Sequence, residues 1–454
     1  MNLWIRYNGH FIRVILITIA VLWPLSLPAQ QPLSLKQAIS LAVERNEDIL
    51  IAKTDYEAAR ARVREAVADA LPNISANALY VRNILRPVFF FPNPLTGEQT
   101  AFRVGNINAF SATVNIKQPL YQAGKVGRAL KVAKLFRRFS KEGYRATRGD
   151  VILATIDAYY QVLLAQKLVQ VNRQTYEQAL EHLKNARLLF QQGQVSEFDT
   201  LRAFVEAVNL QPLVLGAENR YHIALNNLSD IIDAPSDQSL TLTDSLVYRP
   251  EPLPSLEDAF ATAMQKRPEL NQISLEAEMR KQNIGIVRAN ILPKLYLNGS
   301  WQTQAQSDKF DAGPQGFKNS ISASVQLSVP IFDGLRTYAQ IDQARAEYRK
   351  ARYNLEKLKE QIRLQLKSLL FSLREVEKSI EAQQQNMAQA RRAVELANLR
   401  YREGQSTYLD LGDARVALNQ AQSNYYQFVY NHHVLKAQLY RAMGVLSQKF
   451  EFNQ

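Results

Sequence analysis

From Leu335 to Glu403, between Gly334 and Gly404, the chain runs without one proline or glycine. Its apolar residues fall at Leu355, Leu358, Ile362, Leu366, Leu369, Leu373, Val376 and Ile380. Those steps of three and four draw one stripe along an α-helix. At ~1.5 Å per residue the helix is roughly 100 Å long, beyond the reach of an ordinary globular core. Gly124 to Gly193 repeats the plan at nearly the same length, although Gly143 and Gly149 interrupt it. Two such helices require a coiled-coil stalk or the wall of a tube.

The remainder of the chain is written twice. Leu35, Ala38, Leu71-Pro72 and Tyr80 recur as Leu256, Ala259, Leu292-Pro293 and Trp301, each shifted by 221. Pro119-Leu120-Tyr121, Gly193, Asp199 and Ala203 recur as Pro330-Ile331-Phe332, Gly404, Asp410 and Ala414, now shifted by 211. Constant offsets on both sides of one ten-residue change mark an internal duplication with one longer loop in the first copy. The first repeat spans 31–234 and the second 256–446; the proline-rich stretch 235–255 links them, and 447–454 is a tail. Each repeat opens with a helix of about 35 residues (Lys36–Leu71; Leu256–Leu292) that a Leu-Pro step ends. Two short alternating segments, the long helix, a turn and a return helix follow (Glu197–Asp233; Tyr408–Gly444).

The alternating segments lie near 73–82, 110–118, 295–304 and 320–329. In the last, Ile321, Ala323, Val325, Leu327 and Val329 alternate with Ser322, Ser324, Gln326 and Ser328. Such patterning over about ten residues fits a transmembrane β-strand, apolar to lipid and polar to a watery lumen. A soluble sheet with one face on a core alternates in the same way. Here no apolar segment is left over to cover the sheet, and Tyr80, Tyr121, Trp301 and Phe332 stand at expected strand ends, as at a bilayer interface. Four strands cannot close a barrel, and open edges are not viable in hydrocarbon. Membrane strands therefore require oligomerisation: two, three or four copies give eight, twelve or sixteen.

Residues 1–30 read as a secretory signal, with Arg6 and Arg13 before the apolar run Val14–Leu27 and Pro28-Ala29-Gln30 as its exit. The formal charge is +13, but Lys and Arg are interleaved with Glu along helices, as on solvated faces, so no nucleic-acid partner is expected. Cysteine is absent, which excludes disulfides and thiolate chemistry. No catalytic, cofactor or metal constellation stands out. Gly124-Lys125 has Pro119 where a phosphate loop needs glycine, and His10, His182, His222, His432 and His433 lack metal-ligand spacing. The first repeat's longer loop, 83–109, carries Pro87-Val88-Phe89-Phe90-Phe91-Pro92. Packing on the neighbouring hairpin is the plain expectation there; a fold over the mouth, lipid or a partner are the others.

The duplicated helix–strand–strand–helix plan, the Pro-Leu-Tyr and Pro-Ile-Phe-Asp-Gly strand exits and Gly-Gln-Ser-Thr-Tyr-Leu-Asp-Leu at 404–411 resemble the TolC-like outer-membrane efflux proteins. The resemblance implies a mainly α fold with a membrane β-barrel: a homotrimer whose twelve-stranded barrel continues as an α-helical barrel across the periplasm. It implies an outer-membrane location in a Gram-negative bacterium, and a passive exit duct for small molecules or drugs rather than an enzyme. A periplasmic adaptor would join it to an energy-supplying inner-membrane transporter. One-step protein secretion through the same channel is the alternative, and a periplasmic coiled-coil scaffold is the rival of another class.

The long helices turn back at Gly193-Gln194-Val195-Ser196 and Gly404-Gln405-Ser406-Thr407. Ser196-x-x-Asp199 and Thr407-x-x-Asp410 have capping-box spacing. Asp413 lies one turn further in and shares a helix face with Asp410. The resemblance makes Asp410 and Asp413 an acidic constriction at the periplasmic mouth, pairs Tyr401 with Asp199 as a closing contact, and docks the adaptor on the two turns. Ser406 and Phe198 depart from the family pattern, which has arginine and a hydroxyl residue there. A latch in this chain is therefore expected to be weaker or built differently.

Overall fold

The structure, a computed structural model, describes residues 32–92, 97–235, 240–311, 313–403 and 405–450. The expected signal 1–30, Gly404, part of the linker and the end of the tail lie outside them. In order come β1 (Pro32–Leu33), α1 (Leu35–Arg45), α2 (Glu47–Ala68), β2 (Asn73–Arg82), β3 (Val88–Pro92), β4 (Gln99–Arg103), β5 (Asn108–Tyr121), α3 (Lys125–Gln191) and α4 (Glu197–Ile231). Then follow β6 (Thr241–Leu242), α5 (Leu256–Lys266), α6 (Pro268–Arg288), β7 (Lys294–Ser307), β8 (Lys318–Ser328), α7 (Arg336–Arg402), α8 (Tyr408–Ala442) and α9 (Leu446–Lys449).

The long helices α3 and α7 each have 67 residues and the return helices α4 and α8 each 35, with all four boundaries displaced by 211. The expected stripe on α7 is the buried one: Ile362, Leu366, Leu373 and Ile380 are at most 1% exposed. α3 and α4 form one hairpin, α7 and α8 the other. Between α3 and α7, α8 packs in the half towards the turns and α6 in the half towards the sheet. The wall is thus one helix thick, and its flanking helices leave apolar side chains open, such as Leu201 and Val205 on α4 and Leu364 and Phe371 on α7.

Two expectations about the helices need correction. The single opening helix of each repeat is two. Asn46 breaks the first by capping α2, its side chain accepting from Asp48 N at 3.1 Å and donating to Ile231 O at 3.1 Å. Arg267 breaks the second at ψ 118, the extended conformation a following proline imposes. Nor do Gly143 and Gly149 interrupt α3, which runs through both. Gly149 instead admits Arg441, since a Cβ there would lie 2.9 Å from Arg441 Nε.

β2, β5, β7 and β8 form one antiparallel sheet in that order. Its register stacks Ser75–Asn115–Ser300–Ser322 and Asn77–Thr113–Gln302–Ser320 on one face, and Ala76–Val114–Trp301–Ile321 on the other. On the polar face the Ser300 and Ser322 hydroxyls meet at 2.9 Å. On the apolar face Ile321 is 81% exposed, and β2 and β8 are exposed along their whole length, leaving two open edges. Trp301 does not end a strand: β7 runs on to Ser307, so Trp301 sits mid-strand opposite Val114 and Ile321. Tyr121 closes β5 and Phe332 follows β8, both beside the helices, whereas Tyr80 lies at the far rim with Phe110 and Phe310. The aromatic loop pairs with itself as a separate β3–β4 ribbon rather than packing on the next hairpin. No described helix is long and apolar enough to cross a membrane.

Candidate functional site at the helical tip

Both turns are built alike. At the end of α3, Gly193 adopts φ 70 while Gln194 N donates back to Leu189 O at 2.9 Å. At the end of α7, Gln405 N donates to Arg400 O at 2.8 Å. This six-to-one bond closes a helix whose last carbonyls would otherwise be unpaired. Gln194, Gln405 and Thr407 are exposed, Val195 and Ser406 half-buried.

Each return helix opens with a reciprocal cap. The Asp199 carboxylate accepts from Ser196 N at 3.1 Å and Ser196 Oγ at 2.7 Å. Asp410 accepts from Thr407 N at 2.9 Å and Thr407 Oγ1 at 2.8 Å. These bonds favour the charged carboxylates and hold both below their usual range. Asp199, Asp410 and Asp413 are all exposed at the tip surface. Asp413 lies one turn along α8 from the capped Asp410.

Above the turns the hairpins are joined by rings. His182 of α3 lies flat on Tyr408, the first residue of α8, with centroids 3.4 Å apart and planes 2° from parallel. Tyr401 of α7 meets His182 edge-on at 5.8 Å and Tyr408 at 5.7 Å. The hydrogen bonds of Asp199 go to Ser196, and Tyr401 packs among the rings; burial, then the Asp199 charge, raises the Tyr401 phenol. Burial, then Glu206, raises the Tyr408 phenol. Sequence reasoning missed His182, Tyr408 and Arg415. Their one local signal, Tyr401 and Tyr408 seven residues apart, says nothing about a histidine on another helix.

Burial and the Arg415 cation push the His182 imidazole down to about 4, with Asp199 opposing. The stack therefore favours the neutral ring. Its contribution is complete above about pH 6.5 and is lost as pH falls towards about 4. Between about pH 7.5 and 4.5 the wild-type unfolding midpoint should fall relative to that of His182→Phe, which keeps a flat ring on Tyr408 and cannot be charged. Midpoints that track one another across the range would remove His182 from this role.

An outward-greasy sheet open at both edges, standing on a one-layer wall of helical hairpins, defines a channel subunit whose barrel and tunnel are completed by further copies. The outer membrane efflux protein family model matches residues 38–233 and 260–445, one segment per repeat. The chain belongs to that family: it is an outer-membrane export channel of a Gram-negative bacterium, a trimer-completed barrel extending into the periplasm. Among relatives, the alkaline protease secretion protein AprF of Pseudomonas aeruginosa is 24% identical over 344 residues, 75% of this chain and 71% of that one. The outer membrane protein TolC of Vibrio cholerae is 23% identical over 417 residues, 92% of either chain. The solved CmeC outer membrane channel of Campylobacter jejuni superposes with a TM-score of 0.75 at 20% identity, over 91% of this chain and 86% of that one.

Proposed function

We propose that the channel is a passive exit duct for small molecules, and that its helical tip is both an ion-selecting mouth and the docking end for a periplasmic adaptor bound to an inner-membrane transporter. The observation that carries the reading is the pair Asp410 and Asp413, exposed on one face of α8 beside the turn. Repeated by three-fold symmetry they make a ring of six carboxylates, and a carboxylate ring at a constriction selects cations. Asp410→Asn with Asp413→Asn should move the reversal potential under a salt gradient away from cation preference and relieve block by divalent cations in planar bilayers. Unchanged potentials and block would remove both acids from the mouth. In this reading Asp199 and the Tyr401, His182 and Tyr408 rings hold the two hairpins together beside it.

The turns Gly193-Gln194-Val195-Ser196 and Gly404-Gln405-Ser406-Thr407 are the adaptor-contacting surface, because they offer exposed polar groups at the far end of rigid hairpins. A second reading, one-step protein secretion, is favoured by the likeness to a protease secretion protein. A photo-crosslinker at Gln194 or Gln405 separates the two. Capture of an adaptor bound to a small-molecule pump supports efflux; capture of an adaptor bound to an ATP-driven polypeptide exporter overturns it in favour of secretion.

A further inference from the structure

The β3–β4 ribbon belongs to the first repeat alone and continues the β2–β5 ladder beyond the sheet. Asn83 N donates to Ile107 O at 2.7 Å and Val104 N to Pro87 O at 3.0 Å, and five residue pairs follow, from Val88–Arg103 to Pro92–Gln99. Arg86 ties the base to the rim, its guanidinium 3.8 Å from Asp308. The register sets Phe89, Phe91 and Phe102 on one face and Val88, Phe90 and Ala101 on the other. Phe91 and Phe102 meet edge-on at 6.1 Å, yet Phe89, Phe90, Phe91 and Phe102 are 53%, 64%, 55% and 54% exposed.

A two-stranded ribbon is marginal alone, and an aromatic patch of this size marks a contact. Apolar residues on both faces decide what kind. Laid flat on lipid or on a sheet, the ribbon would leave one aromatic face in water. In a ring of three, each ribbon has a neighbour on either side, continuous with the β2 and β8 edges through which the subunits join. The dimensions allow it. Twelve strands ~4.8 Å apart and tilted ~45° give a barrel radius of about 13 Å, and five pairs at ~3.4 Å span about 17 Å, enough to reach the axis.

We propose that the three ribbons fold inward over the outer mouth and pack face to face, each aromatic face occupied by the ribbon of the next copy, to form an apolar constriction at the extracellular end. A greasy ring of this kind resists water and ions by dewetting and opens when the ribbons swing apart. The inference rests on the trimeric barrel and adds a second resistance in series with the acidic mouth.

The chain has no cysteine, so introduced thiols are unique. Face-to-face packing around a three-fold axis joins one face to the opposite face of the next copy. Phe89→Cys with Phe90→Cys should therefore yield disulfide-linked dimers and trimers in oxidised outer membranes. Phe89→Ser with Phe90→Ser and Phe91→Ser should at least double single-channel conductance. Trimers on unheated gels show separately that the barrel has assembled. With trimers intact, an absence of linked species overturns the proposal, as does unchanged conductance. In a Trp301→Phe background, where the lipid-facing Trp301 no longer contributes, quenching of Phe90→Trp fluorescence by brominated lipid overturns it too, and places the ribbon on the bilayer.

Discussion

Ile321→Arg is expected to abolish the membrane-inserted, heat-resistant trimer, whereas Ser322→Arg, one residue on, should leave it in place. The two side chains stand on opposite faces of β8. Ile321 belongs to the row Ala76–Val114–Trp301–Ile321, and its partner Trp301 lies midway along β7. An arginine at the bilayer midplane on the lipid face of a barrel costs about 2–4 kcal/mol, so three copies cost on the order of 6–12 kcal/mol. That is comparable with the whole stability of an ordinary domain. Ser322 faces Ser300 across a 2.9 Å contact in the polar row. Arginine there loses one exposed hydroxyl pair and extends into lumen water, an effect of about 1 kcal/mol or less. Unheated gels of outer-membrane fractions read both outcomes. Equal tolerance, or equal loss, would mean that the apolar face does not meet lipid.

The features that were legible in the chain are those set by period. The stripe from Ile362 to Ile380 and the two-residue alternation along β8 each reflect one element burying or exposing one face, so local order reveals them. The duplication was legible because both repeats keep the same offsets at each long-helix and return-helix boundary. It also explains Ala123 and Leu335, left-handed at φ 52 and 63 just before α3 and α7: each stands opposite a glycine, Gly334 and Gly124, in the other repeat. What escaped was set by single residues or by distant partners. Asn46 and Pro268 break the opening helices although the apolar pattern runs on through them. Trp301 looked terminal because β7 continues past the apolar alternation into Gln304 and Gln306. His182 meets Tyr408 across two hairpins, and no spacing within either hairpin encodes that contact.

Gly444→Ala is expected to destabilise the chain by more than about 4 kcal/mol, the range in which a single substitution points to one specific disruption. Gly444 sits at φ 74 just beyond α8, with Val445 N bonded to Tyr440 O at 2.9 Å. Its counterpart is Asp233, at φ 49 beyond α4, where Ala234 N bonds to Ser229 O at 2.9 Å. The first repeat therefore tolerates a side chain in this left-handed turn, and backbone strain alone accounts for only about 1–2 kcal/mol. Space makes the difference. A Cβ at 444 would lie 2.6 Å from Lys266 C and 2.7 Å from the N and Cα of Arg267, all backbone atoms. That backbone cannot yield easily. Arg267 forms the bend between α5 and α6, donating to Ala263 O at 3.0 Å and, through its guanidinium, to Gln365 at 2.9 Å. Arg441, on the last turn of α8, grips the same bend through Glu269 at 2.7 Å and reaches Asp150 of α3 at 2.8 Å. Prising the bend away from α8 would break this network and strand a guanidinium that is only 11% exposed. Asp233→Ala, which keeps a Cβ in the matching turn, should cost no more than about 1 kcal/mol. Urea midpoints of the two variants make the comparison: a loss of no more than about 1–2 kcal/mol for Gly444→Ala would show that φ alone governs the turn, and that the α5–α6 bend does not depend on its contact with Gly444.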